Sequence, residues 1–207
     1  MKILDLFAGL GGEQRRSKIE ICGHELITLD FNACFNCTIT ADIFNVSAKS
    51  LGYFDFIWAS PPCEAFSMAS IGYHWGGGLR QYQPKTQYAI LSQKIVEHTK
   101  NLILEINPNK GWLIENPRGI LRKLPCIANL PRVTITYCRY GDKRMKPTDL
   151  WGIVPNWKPR PMCNNGNIDH EAAPRGSKTG TQGIKNSAER AIVPWELWND
   201  LLLAIGD

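Results

Sequence analysis

The sequence lacks several features that define other classes of protein. No apolar run approaches the length that crosses a membrane, and residues 1–5 show no signal-peptide pattern. Internal repeats and heptads are absent, which excludes a solenoid and a coiled coil. The seven cysteines are an odd number without the spacing of a small disulfide framework. We therefore expect reduced thiols, a cytoplasmic location and no membrane partner.

The size and composition are those of an ordinary globular enzyme. A chain of 207 residues, 43% hydrophobic and 21% charged, can form one α/β domain with a sizeable core and a small appendage. Its formal net charge of +5 permits a polyanionic partner without requiring one. Function must therefore be sought in local motifs.

The first 42 residues resemble the first units of a nucleotide-binding fold. A predicted strand at 2–7 leads into a glycine-rich turn at 8–12, which lets the backbone approach a ligand closely. The spacing is not G-x-G-x-x-G, so a turn without a ligand is an alternative. A second predicted strand, at 25–29, ends in Asp30, and Asp42 follows a third. Carboxylates at strand ends can accept hydrogen bonds from ribose hydroxyls, although capping a helix is a commoner role for an aspartate. Together the features favour a nucleoside-containing cofactor.

The central stretch of the chain presents a cysteine. A buried strand predicted at 54–58 is followed by Pro61 and Pro62, which cannot continue it because they lack backbone N–H groups. Cys63 then lies at the carboxyl end of a central strand, where open α/β sheets bind their ligands. This position suggests a nucleophile, whereas the alternative is a small buried thiol.

The later segments complete an alternating α/β pattern. Residues 67–85 are glycine-rich and aromatic and predict a long lid loop, with a plain surface loop as the alternative. Apolar periodicity predicts a helix at 86–106, and a strand at 112–114 ends in Glu115. A further strand is predicted at 133–138, a basic stretch at 139–147 and a C-terminal helix at 194–205.

We predict a doubly wound α/β fold with a mostly parallel, Rossmann-like sheet. It divides into a catalytic domain at 1–154, a small irregular recognition module at 155–187 and a returning C-terminal segment at 188–207. Trp195 and Trp198 are interpreted as core or cover residues of the last helix. Cys34 and Cys37 have zinc-like spacing, but no second pair completes a four-ligand site. We therefore interpret them as core residues and expect no metal.

Three motifs resemble those of cytosine carbon-5 DNA methyltransferases, in that family's order. They are DLFAGLGG at 5–12, PPCEAFS at 61–67 and ENP at 115–117. The family's later basic motif is similar at Tyr140, Gly141, Arg144 and Lys146, and its following motif is faintly similar at Arg190, Pro194 and Glu196. The likeness covers residues 2–151 well and the remainder poorly.

The resemblance implies a Rossmann-like methyltransferase. Cys63 would attack carbon 6 of cytosine, Glu115 would protonate nitrogen 3, and Arg144 would hold the carbonyl oxygen. The implied cofactor is S-adenosylmethionine. The residues implied to contact it are Phe7, Ala8, Gly9, Leu10, Gly11, Asp30, Asp42, Ile43 and Pro62.

The implied substrate is double-stranded DNA with a flipped base, and the implied setting is restriction–modification in a bacterial, archaeal or phage-infected host cell. The region at 155–187 is short for target recognition, and the family's last motif is unmatched unless the terminal helix replaces it. The sequence therefore leaves open whether the protein works with a partner subunit or as a homo-oligomer. The alternatives are tRNA methylation, exocyclic amino methylation suggested by Ser60-Pro61-Pro62, and a non-catalytic relative.

Overall fold

Seven strands form one mostly parallel sheet in a computed structural model that describes residues 1–77, 82–164, 166–172, 184 and 186–206. The strand order is β3-β2-β1-β4-β7-β9-β8, in which β9 runs antiparallel to both of its neighbours and the other pairs are parallel. A separate ribbon pairs β5 with β6. The strands are β1 (Lys2–Leu6), β2 (Glu25–Asp30), β3 (Ile39–Thr40), β4 (Phe56–Ala59), β5 (Trp75–Gly76), β6 (Gln83–Pro84), β7 (Trp112–Pro117), β8 (Arg132–Thr136) and β9 (Pro147–Ile153).

Helices connect these strands and cover the sheet. They are α1 (Gly12–Ile21), α2 (Ala48–Leu51), α3 (Ile71–His74), α4 (Gln87–Ile106), α5 (Ser187–Ala191) and α6 (Trp195–Gly206). Thr86 caps α4, because its side chain accepts a hydrogen bond from the backbone N–H of Ala89. Within the described part of the chain, no helix combines the length and apolar character needed to span a membrane.

The sheet separates two apolar cores, as the predicted doubly wound fold requires. Side chains alternate along β4, so Ile57 and Ala59 pack in the core that α4 covers. Phe56 and Trp58 pack in the opposite core, against α1 and α6. The Trp58 and Trp198 rings lie 5.1 Å apart, centroid to centroid. The predicted fold class is confirmed, and Trp198 is a core residue.

Strand β9 was not predicted from the sequence. It begins at Pro147, and a charged residue, Asp149, interrupts its apolar pattern. The side chain of Asp149 is fully buried, where it pairs with Arg122 and accepts a hydrogen bond from Thr134 Oγ1 at 2.7 Å. Because both partners come from elsewhere in the chain, the local pattern around Asp149 does not indicate a strand.

Asp149→Asn is expected to lower the free energy of unfolding by about 3 kcal/mol, because it removes the buried carboxylate charge and leaves the half-buried guanidinium of Arg122 without a charged partner. Urea unfolding would measure the loss. The control is Lys143→Ala, which breaks an exposed ion pair with Glu171 and should cost less than about 0.5 kcal/mol. Equal losses in the two variants would contradict a structural role for the buried pair.

The predicted lid at 67–85 is more ordered than expected. It contains α3 and the β5–β6 ribbon, and His74 and Trp75 are buried rather than free to close over a ligand. The indole Nε1 of Trp75 donates to the Ala65 carbonyl at 2.6 Å, which ties the segment to the turn after Cys63. Gly78 and Arg80, which belong to the predicted lid, lie outside the described residues.

The segment after β9 is irregular over the part that the structure describes, whereas residues 165, 173–183 and 185 of the module predicted at 155–187 lie outside the described residues and Ser187 begins α5. Residues 155–164 and 166–172 contain no helix or strand. Helix α6 begins at Trp195, one residue after the predicted start. Cys34 is exposed, so our interpretation of it as a core residue is wrong, and Cys37 is only partly buried.

Candidate active site

The glycine turn after β1 is fixed by Asp30. The Gly9 backbone N–H donates to Asp30 Oδ2 at 3.1 Å, and the Asn32 N–H donates to Oδ1 at 3.0 Å. Phe7 and Gly9 have φ angles of +63° and +57°, which let the chain turn sharply over the end of β2. A Cβ added at Gly9 would meet no atom within 4 Å. The outer face of the turn is therefore open to a ligand.

A buried ion pair supports the turn from below. Asp5 on β1 pairs with Arg15 on α1, and the Arg15 guanidinium stacks 5.1 Å from the Trp198 ring. Burial raises the pKa of Asp5 to about 6, although Arg15 opposes the shift. The pair fixes α1, and with it the start of the turn, against the sheet.

Asp42 and Ile43, two further predicted cofactor contacts, lie in the segment after β3. Asp42 Oδ1 accepts a hydrogen bond from the Phe44 N–H at 3.0 Å, which is the capping role weighed as the alternative. Ile43 is buried, and its carbonyl accepts a hydrogen bond from His98 Nε2 at 3.0 Å.

Large apolar side chains are exposed along the same sheet edge: Leu10, Phe31 and Phe44 are 49%, 70% and 42% exposed. These side chains form an apolar surface beside the carboxylates of Asp30 and Asp42.

Cys63 is held at the end of β4 by contacts with the end of β7 and with the turn that follows it. The Pro61 carbonyl accepts a hydrogen bond from Asn116 Nδ2 at 3.0 Å. Gly119 approaches so closely that a Cβ there would lie 2.2 Å from the Phe66 carbonyl oxygen. A larger residue at this position would push apart the two segments that carry Cys63 and Glu115. Asn116 and Gly119 thus position the site, which the sequence did not reveal.

Glu115 is buried beside this turn. The parallel pairing of β4 with β7 ends at Ala59 and Ile114, whereas β7 continues to Pro117 because β9 pairs with it. Glu115 was predicted at the strand end and lies just beyond that parallel edge. Its Oε1 accepts a hydrogen bond from the Tyr137 hydroxyl at 2.8 Å. Tyr137 had no signal in the sequence, because it lies within the strand predicted at 133–138 and so had only a structural interpretation.

Two cations of the basic stretch have different surroundings. Arg144 pairs with Asp142, and its Nη1 donates to the Arg190 carbonyl at 3.2 Å. Lys146 has a φ of +28°, which non-glycine residues rarely adopt, and its Nζ lies 4.4 Å from the Tyr137 ring centroid. The charge of Lys146 interacts with both Cys63 and Glu115.

The surroundings of Cys63 keep its thiol neutral. Burial raises the pKa of Cys63 to about 12, the negative charges of Glu64 and Glu115 add to the shift, and Lys146 opposes it. Burial likewise lowers the pKa of Lys146, with Glu115 and Cys63 opposing that change. The thiol therefore needs help from a ligand or a neighbouring base before it can act as a nucleophile.

Alkylation of Cys63 in the free protein should follow this pKa. Because the thiolate fraction grows about tenfold per pH unit below the pKa, the rate with iodoacetamide should still be rising above pH 9, where a small free thiol levels off. Lys146→Met should slow the reaction at pH 8 by about threefold to tenfold, because Lys146 lowers the pKa of Cys63. Mass spectrometry of the Cys63 peptide gives the rates.

The matched control is Lys143→Met, which removes a highly exposed lysine of the same stretch and should leave the rate unchanged. A Cys63 rate that levels off near pH 8, or equal effects of the two substitutions, would contradict this electrostatic picture.

Known proteins resemble this chain in sequence and in fold. No protein-family model matches the chain. It is 27% identical over 169 residues to the Probable DNA (cytosine-5)-methyltransferase of Frog virus 3 (isolate Goorha), a match that covers 75% of this chain and 73% of that protein. The predicted resemblance to cytosine carbon-5 methyltransferases is confirmed.

The fold is that of a Rossmann-like methyltransferase. The S. pombe Dnmt2 methyltransferase superposes with a TM-score of 0.50 at 15% identity, over 77% of this chain and 51% of that one. The present chain thus spans about half the length of that solved structure. Fold and relative together support the predicted methyltransferase enzyme.

Proposed function

We propose that this protein transfers a methyl group from S-adenosylmethionine to carbon 5 of cytosine in DNA. The observation that carries the proposal is that Cys63, Glu115 and Lys146 come together at the carboxyl edge of a methyltransferase sheet, where Glu115 raises and Lys146 lowers the pKa of the Cys63 thiol. The name of the viral relative supports the same substrate.

The residues around the glycine turn fit S-adenosylmethionine. The open face at Gly9 suits close approach of the ligand, and Asp30 and Asp42 lie at consecutive strand ends, where they can accept ribose hydroxyls. The exposed rings of Phe31 and Phe44 can cover an adenine. When bound, the cofactor supplies an electrophilic methyl group.

The chemistry at the base follows from Cys63 and Glu115. The Cys63 thiolate adds to carbon 6 of cytosine, which makes carbon 5 electron-rich enough to take the methyl group. Glu115 in its protonated form gives its proton to ring nitrogen 3 as charge develops there and takes it back when Cys63 leaves, and Tyr137 holds this carboxyl group in place. A base then removes the carbon-5 proton, and Cys63 leaves with the electrons of its bond to carbon 6. The cytosine must leave the base stack to reach Cys63.

Lys146 stabilises the thiolate in this scheme, because its ammonium charge lowers the pKa of Cys63. The contact of Arg144 with the cytosine carbonyl oxygen stays a prediction. Its guanidinium is paired with Asp142 in the free protein, so it must reorient or act by positioning Lys146.

The test is nucleoside mass spectrometry of duplex DNA incubated with the protein and S-adenosylmethionine carrying a labelled methyl group. We expect label in 5-methyldeoxycytidine. Label on an exocyclic nitrogen would overturn the carbon chemistry. Label in tRNA alone would be consistent with the same mechanism but would show that the substrate is RNA and not DNA. Both nucleic acids are therefore assayed in parallel. Heat-denatured protein is the control.

A further inference from the structure

Two cysteines and a histidine converge at a second place in the molecule, apart from Cys63. Cys138 follows β8, whereas Cys163 and His170 lie in the irregular segment after β9. The two sulfur atoms and an imidazole nitrogen all lie within 4.8 Å of one another. The Cys163 Sγ is 3.4 Å from His170 Nδ1.

These spacings suit a tetrahedral metal. With metal–sulfur bonds of about 2.3 Å and metal–nitrogen bonds of about 2.0 Å, tetrahedral ligand atoms lie about 3.5 to 3.8 Å apart. Both thiols are almost inaccessible to solvent, at 8% and 1% exposure for Cys138 and Cys163. A dithiolate–imidazole set favours zinc over the hard cations magnesium and calcium. Asp169 Oδ2, which lies 3.8 Å from the Cys163 Sγ, or a water can take the fourth position.

The segment that carries two of these ligands is attached to the rest of the protein by hydrogen bonds and ion pairs. Residues 155–164 and 166–172 contain neither helix nor strand, and most of their side chains are at least partly exposed. Its described attachments include a hydrogen bond from the Cys163 N–H to Thr136 Oγ1 at 2.8 Å and the ion pair of Arg160 with Asp200. Irregular segments that bury little apolar surface commonly depend on a metal or a disulfide.

We propose that Cys138, Cys163 and His170 bind a structural zinc ion that fastens residues 155–172 to the end of β8. The ion is separate from the methyl-transfer chemistry, and the proposal does not depend on that function. The ion would, however, hold Cys138 in place, and Cys138 is next to Tyr137, the residue whose hydroxyl donates a hydrogen bond to Glu115.

The first test is the metal content of the full-length protein, purified without chelator and dialysed against metal-free buffer. We expect about one zinc per chain, falling below about a tenth in Cys163→Ser and in His170→Ala. The matched control is Cys34→Ser, which removes an exposed cysteine outside the cluster and should retain the zinc. Equal stoichiometry of iron or copper in place of zinc, or no bound metal, would overturn the proposal.

A second measurement uses the unaltered protein, in case the variants fail to fold. EDTA treatment should release the ion, make about two further thiols reactive towards a maleimide and increase proteolytic cleavage within residues 155–172. Restored zinc should reverse both changes. A disulfide between Cys138 and Cys163 in protein isolated under reducing cytosolic conditions, or thiol reactivity and cleavage indifferent to EDTA, would show that the cluster is not a metal site.

Discussion

Cys63→Ala should reduce methyl transfer to below about a thousandth of the wild-type rate, because alanine has no nucleophilic atom that could form the bond to carbon 6. The fold should survive, since Cys63 is only partly buried and the change removes a single sulfur atom, at a cost of about 1 kcal/mol. Transfer of labelled methyl to DNA measures the first effect, and urea unfolding measures the second.

The matched control for this variant is Cys126→Ala. Cys126 is also a partly buried thiol, but it packs against the α4 core away from the sheet edge. It should retain full activity with a similar small loss of stability. If Cys63→Ala keeps even a tenth of the wild-type activity while folded, the covalent mechanism is wrong.

Glu115→Gln should slow methyl transfer by about a hundredfold to ten-thousandfold, because an amide cannot give a proton to ring nitrogen 3. The amide oxygen can still accept the Tyr137 hydrogen bond, so the local packing should be preserved. Single-turnover transfer with saturating cofactor and DNA isolates this chemical step from binding.

Two further variants separate chemistry from positioning. Tyr137→Phe keeps the carboxyl group and removes only its hydrogen bond, so we expect a loss of about tenfold. Glu97→Gln on the surface of α4 should have no effect on the rate. If the Glu115→Gln variant is as active as the Glu97→Gln variant, Glu115 takes no part in the mechanism.

The strands of the first half of the sheet were predictable because each is a short, mostly apolar run. The β1, β2 and β4 strands lie within two residues of their predicted positions, and α4 begins one residue after its predicted start. These elements depend on local periodicity and on a capping threonine, which a sequence displays directly. The positions of Cys63 and Glu115 were predictable for the same reason, because each lies at or near the carboxyl end of an apolar strand.

The other side of the site depends on the pairing of β9 between β7 and β8, which the sequence does not display. That pairing brings Tyr137 and Lys146 to Glu115 and buries Asp149 where an apolar residue would be expected. The convergence of Cys138 with Cys163 and His170 likewise joins segments on either side of β9. Contacts of this kind arise from register and topology, so they become visible only in the folded chain.

The position of α6 has a consequence for how the protein is made. Phe56 and Trp58 emerge from the ribosome well before α6, the helix that covers them with Trp198 and Leu201 in the same core. Until α6 has been made, α1 covers only part of this apolar face of the central sheet, and uncovered apolar faces associate with other chains. Folding of the sheet is therefore completed only after α6 has been synthesised, and a nascent chain stalled before residue 195 should depend on chaperones to stay soluble.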